Sequence, residues 1–157
     1  MDGASQNPAA TNGRGKMKIE RHFTTEAQGA YGSIAFTRTS SEIRQPDGKV
    51  VFQNDAVEVP QGWSQVAADV LAQKYFRRAG VPARLRRVKE QGVPKFLWRC
   101  VADDEALAQL PAGERFVGET SAKQVFDRLA GTWTYLGWKG GYFTTEADAQ
   151  AYYDEMR

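Results

Sequence analysis

The sequence has 157 residues, 41% hydrophobic and 25% charged, with a formal net charge of +2. This is the profile of one ordinary globular domain, long enough to bury roughly 70% of its unfolded surface. One cysteine, Cys100, and one histidine, His22, exclude an internal disulfide framework and a Cys/His zinc cluster. No apolar run reaches the ~18 residues of a membrane span, and the N-terminus lacks the apolar segment of a secretory signal, so the expected location is a reducing cytoplasm with no membrane partner.

Residues 1–16 contain almost nothing able to pack a core and read as a flexible extension, with Met17 as the natural beginning of the domain. Residues 18–38 read as extended or irregular, anchored by Tyr31, Ile34 and Phe36. The order Ile43-Arg44-Gln45, Pro46-Asp47-Gly48, Lys49-Val50-Val51-Phe52 is strand, turn, strand: proline presets φ at the second turn position and glycine supplies the positive φ that closes a hairpin. Ala56 to Val59 extends the second arm, and Pro60 ends it. Ser64 is the expected N-cap of a helix burying Val66, Ala67, Val70, Leu71 and Tyr75, closed by Gly80 and Pro82.

Residues 74–99 form the most basic part of the chain, nine cations against the single acid Glu90. A short helix begins at Asp103-Asp104-Glu105, and Pro111-Ala112-Gly113 marks a loop. The strongest helical signal follows. Ser121 and Gln124 have capping-box spacing, and Val125, Phe126, Leu129, Trp133 and Leu136 recur on one face, which predicts a buried stripe. Gly140-Gly141 supplies the stop, while Gly131 and Gly137 imply close packing inside the helix. Trp133, Tyr135, Trp138, Tyr142 and Phe143 are more aromatics than one helix face can bury, so some must meet a larger structure or a ligand. Thr145 and Asp148 cap a last helix of about thirteen residues, with Ala147, Ala151, Tyr152 and Met156 on its apolar face. That helix is still open at Arg157 and marginal alone, which points to a polypeptide cut from something longer or to a frayed end. The repeated pentapeptide FTTEA, at residues 23–27 and 143–147, reads as a coincidence of helix-start chemistry.

A catalytic constellation is absent from this pattern. The glycines and lysine of residues 137–141 lack Walker A spacing, His22 has no partner in view, and Cys100, after Phe96-Leu97-Trp98, reads as a small buried residue. Asp103, Asp104 and Glu105 fit a helix first turn better than a metal site. The basic segment, with Tyr75, Phe76, Phe96 and Trp98 nearby, offers a nucleic-acid face, against which stand the small net charge and the core-facing look of its aromatics.

The wording of four stretches goes beyond periodicity. TSSEIRQPDGKVVF (39–52), VPQGWSQVA (59–67), LAQKYFR followed by AGVP (71–77 and 79–82) and QVFDRLAGTWTYLGWKGGYF (124–143) closely resemble the N-terminal region of class II, adenosylcobalamin-dependent ribonucleotide reductases. The resemblance spans residues 17–157. It implies an α+β, mostly helical N-terminal layer, with a small β-hairpin and three main helices, packed beside a ten-stranded α/β barrel that this chain does not include. It also implies an enzyme, a ribonucleoside-diphosphate reductase, in which cobalamin homolysis yields a thiyl radical and a cysteine pair supplies electrons. The finger loop, redox cysteines and Pro-Asn-Ser-Pro substrate loop of that family have no counterpart here. Hence no catalytic, cofactor-binding, substrate-binding or metal residue is assigned, and the chain alone is expected to be inactive. The expected partner is the barrel, with ribonucleotide substrate and nucleotide effectors bound only by the complete enzyme. The alternative is a stand-alone binding or interaction module, with residues 74–99 as its nucleic-acid face.

Overall fold

The computed structural model describes residues 16–157; apart from Lys16, the extension expected over residues 1–16 lies outside the described residues. The hairpin forms where expected and is longer at both ends. Strands β1 (Phe36–Arg44) and β2 (Val50–Pro60) pair antiparallel from Phe36 opposite Pro60 to Arg44 opposite Val50. Gly48 takes φ 87° at the turn, its N–H donates to the Gln45 carbonyl (2.8 Å), and Asp47 Oδ1 accepts from the Lys49 N–H (2.9 Å). Alternation along β2 turns Val57 and Val59 inward.

Helix α1 (Gln65–Val70) starts at the Ser64 cap, whose Oγ accepts from the Ala67 N–H (3.2 Å). It runs into a π turn, Leu71–Tyr75, in which the Phe76 N–H reaches back five residues to the Leu71 carbonyl (3.1 Å). The helix therefore ends at Tyr75, ahead of the stop expected at Gly80 and Pro82. Phe76 turns into the core in extended backbone, and Gly80 (φ 76°) serves a later turn. The buried side matches the expected one at Leu71, with Ala67 half-buried, and differs elsewhere. Ala68, Leu71 and Ala72 face the core, whereas Val66, Val70 and Tyr75 are exposed. Two alanines let the helix lie close to Val57, Val59, Ala122 and Val125, which rotates the larger side chains outward.

From there to α3 the chain is built of short pieces, although the sequence predicts only one short helix. Strands β3 (Val81–Pro82), β4 (Leu85–Arg87), β5 (Cys100–Ala102) and β6 (Phe116–Val117) form two antiparallel ribbons, β3 with β6 and β4 with β5. Between them lies α2 (Asp104–Ala108), with Asp103 as its N-cap. Helix α3 (Ala122–Lys139) opens on the predicted capping box and ends in a Schellman arrangement: Tyr142 N–H donates to the Gly137 carbonyl, Gly141 N–H to the Trp138 carbonyl (3.0 Å each), and Gly141 has φ 69°. A Cβ at Gly137 would lie 2.8 Å from Phe143, so this glycine marks the expected close packing, whereas one at Gly131 would make ordinary contact with Tyr153 at 3.6 Å. Helix α4 (Glu146–Glu155) has the predicted Thr145/Asp148 box.

Two expectations for the stripes hold only in part, Val125 and Ala151 being buried as expected. On α3 only Val125 of the five apolar positions is fully buried, Phe126 and Leu129 are half-buried, and Trp133 and Leu136 are exposed. On α4 the buried residues are Asp148, Ala149, Ala151 and Asp154, while Ala147 and Met156 are exposed. The helix has ten residues, and residues 17–24 of this chain bind along it and at its end, largely through backbone N–H groups, as described next. The described residues have the class α+β, with small antiparallel sheets and four α-helices, and among them no helix is long and apolar enough to cross a membrane.

Candidate functional site

Two faces flank α3, one polar and closed, the other apolar and open. On the polar face, residues 17–24 cross α4 as a strap. Asp148 Oδ1 accepts from the Ile19 N–H (2.9 Å), Arg21 pairs with buried Asp154 (2.8 Å), and Glu155 accepts from the N–H groups of Phe23 (3.0 Å) and Thr24 (2.8 Å) and from the Thr24 hydroxyl (2.6 Å). The Thr24 hydroxyl, then the Phe23 amide, holds the Glu155 carboxyl down at about 2. The Thr145 hydroxyl and the Ile19 amide lower Asp148 in the same way. Arg157 donates to Asp127 and Asp154 (3.1 Å each), and Tyr31 donates to Asp127 (2.9 Å); burial, followed by that charge, pushes the Tyr31 phenol up. Beside this network lies a cavity of about 440 Å³ lined by Arg21, Glu26, Gln150, Asp154 and Arg157. Its two guanidinium groups pair with carboxylates, and it contains no nucleophile with an adjacent base. Here the first FTTEA segment clamps the end of α4 and starts no helix, whereas the second leads into α4.

On the other side a groove of about 460 Å³ runs between the α1/π helix and α3, with almost wholly apolar walls that include Trp63, Val66, Val70, Tyr75, Phe126 and Leu129. Glu119 and Arg128 fix its shape. Glu119 is buried, pairs with Arg128 (2.9 Å) and accepts from the Arg77 N–H (2.9 Å), while Arg128 also donates to the Tyr75 carbonyl. One buried carboxylate thereby ties both helical walls together.

The other residues singled out in the sequence are scattered. Cys100 is exposed, contrary to the expectation of burial, because it begins a short ribbon whose strand keeps only Val101 and Ala102 half-buried. His22 is exposed and stands edge-on to Phe23 (4.5 Å). Asp103 is a cap and Asp104 and Glu105 are exposed; among the described residues no His, Cys, Asp or Glu group is arranged to hold a metal. In the basic segment Phe76 is core, Phe96 stacks on Tyr153 (5.9 Å), and Trp98 Nε1 donates to the Val93 carbonyl (2.9 Å), so three of its four aromatics serve packing. Its lone acid has the role the sequence did not reveal. Glu90 accepts from the Tyr135 hydroxyl (3.0 Å) and pairs with Lys139 (2.8 Å), while Trp138 Nε1 donates to the Gly92 carbonyl (2.7 Å). The Lys139 ammonium is the main cause that lowers Glu90. Much of the aromatic corner is thus occupied by residues 90–92; a cation-rich segment with one acid is the only sequence trace of that contact.

Residues 37–157 match the family model of class II vitamin B12-dependent ribonucleotide reductases. The chain belongs to this family. Relatives named vitamin B12-dependent ribonucleotide reductase share 68% identity over 90% of the chain in Bradyrhizobium diazoefficiens, 59% over 89% in Agrobacterium fabrum and 28% over 89% in Streptomyces coelicolor. In each case the chain spans 11% of the relative's length. The reductase resemblance read from residues 39–143 is therefore confirmed at family level. Vitamin B12 dependence is a property of the family. The single histidine stands on the surface, and the two cavities described above hold about 440 and 460 Å³, the range of a drug-sized molecule.

Proposed function

We propose that residues 17–157 form the N-terminal structural layer of an adenosylcobalamin-dependent ribonucleoside-diphosphate reductase, an enzyme that makes deoxyribonucleotides for DNA synthesis in the cytoplasm. In this reading the radical chemistry, the substrate and the nucleotide effectors belong to a ten-stranded α/β barrel beyond this segment, which itself contributes no catalytic residue. The observation that carries it is the match of nine-tenths of this chain, at 68% identity, to about a ninth of a B12-dependent reductase. The scattering of Cys100, His22 and the acids supports the absence of catalysis here, since radical nucleotide reduction needs cysteines brought together. The test compares two preparations, each with adenosylcobalamin, a dithiol and CDP or CTP. The full-length polypeptide carrying this segment converts CDP to dCDP, and the 157-residue chain gives no product. Turnover by the short chain overturns the structural role, and a full-length protein that reduces only CTP overturns the diphosphate assignment.

A further inference from the structure

The sequence marks Val125, Phe126, Leu129, Trp133 and Leu136 as a core stripe, yet the structure leaves its second half in water, with Trp133 46% and Leu136 59% exposed. Facing it across the groove, Val66 is 71% and Tyr75 54% exposed. Scattered apolar side chains on a surface need no explanation, but Val66, Val70, Tyr75, Phe126 and Leu129 line one cavity, and the exposed Trp133 and Leu136 continue the α3 stripe beyond it. From Val125 to Leu136 the strip runs about 17 Å along α3, the length of a helix of eleven or twelve residues. Its walls are held in place by the buried Glu119–Arg128 tie described above, so the groove is formed before anything enters it.

We propose that this groove is the seat of an amphipathic helix from the part of the reductase polypeptide that follows this segment; the inference rests on the reading of the chain as a reductase layer. Three observations select that occupant. Both walls are helices and no strand edge lines the groove, so a visitor gains no ladder hydrogen bonds and must satisfy its own backbone, which a helix does. Residues 1–15, MDGASQNPAATNGRG, have no large apolar side chain after Met1 and cannot fill an apolar strip. The relatives carry about nine times the length of this chain, so most of their sequence lies outside it and is covalently tethered, which raises its effective concentration over any free partner. The entering helix presents apolar residues at i, i+3, i+4 and i+7 to Val66, Val70, Tyr75, Leu129 and Trp133, with its polar side outward.

The test uses the full-length polypeptide with the photoreactive residue benzoylphenylalanine in place of Tyr75 or, separately, Trp133. Both are exposed aromatic positions, so the replacement leaves the fold in place. After irradiation and digestion, both positions yield crosslinks concentrated at least tenfold in one peptide beyond residue 157, with apolar residues at helical spacing. Crosslinks between two copies, crosslinks scattered over many peptides, or none at all overturn the proposal. The same preparations are assayed for nucleotide reduction with adenosylcobalamin. Active protein with a bare groove refutes only the docking helix, whereas a failure of the unmodified full-length polypeptide to reduce nucleotides refutes the reductase reading itself.

Discussion

The two faces of α3 solve the same problem in opposite ways. On the α4 side, much of the contact is polar and supplied by this chain: Asp148, Asp154 and Glu155 take backbone N–H groups and a guanidinium group from residues about 130 positions away in sequence, so the strap holds the helix. On the α1 side, burial is apolar and partial: Val125 is covered, and the stripe then runs out into water at Trp133 and Leu136. Apolar periodicity shows that a face wants cover, without saying whether this stretch of chain provides it. A polar face that the chain covers itself leaves no periodic signal at all.

The sharpest way to break the contrast is to release the tie that shapes the open side. Glu119→Ala leaves Arg128 unpaired and the Arg77 N–H unsatisfied. A fully buried pair broken on one side costs 3–5 kcal/mol; Arg128 keeps about a quarter of its surface in water, so a loss of about 3 kcal/mol is expected in denaturant unfolding. Gly137→Ala is next. A Cβ there meets the ring of buried Phe143 at 2.8 Å, and overpacking of this kind costs about 2 kcal/mol, read as a lowered Tm without a change in secondary structure. Ser121→Ala removes a cap that also donates to Glu58 and costs about 1 kcal/mol.

A pH titration sharpens the polar side. Asp148 and Glu155 lie below the unfolded carboxyl range of about 3.9–4.3, so the folded state prefers them ionised. Their contribution is fully present above that range and is lost as pH falls through the folded values, near 2 for Glu155. Between pH 5 and pH 2 the amides of Ile19, Phe23 and Thr24 are expected to lose hydrogen-exchange protection before those of α3. In Glu155→Gln the Phe23 and Thr24 amides start less protected and respond less to acid. The smallest effect belongs to the open side: Val66→Ser in the 157-residue chain changes stability by less than about 0.5 kcal/mol, and costs more in the full-length polypeptide if the groove is filled there.

What the sequence made legible was local. Ser64, Ser121 and Thr145 as caps, Pro46-Asp47-Gly48 as a hairpin turn and Gly140-Gly141 as a stop all depend on neighbouring residues and stand as read. What it hid depends on distant ones. The inward turn of Ala68 and Ala72 in place of Val66 and Val70 follows from how closely α1 approaches Val57 and Val125. The closure of α4 follows from a strap whose donors are mostly backbone N–H groups, invisible in side-chain patterns. The exposure of Cys100 leaves no trace in the sequence, because a three-residue ribbon carries no periodic signal.

The most direct test of the account is an electron cryomicroscopy map of the full-length polypeptide, read along α3 from Val125 to Leu136. The expected result is a helix from beyond residue 157 lying against Val66, Tyr75, Leu129 and Trp133, with the strap on α4 unchanged. A solvent-filled groove at that position, in a protein that still reduces nucleotides, would contradict it.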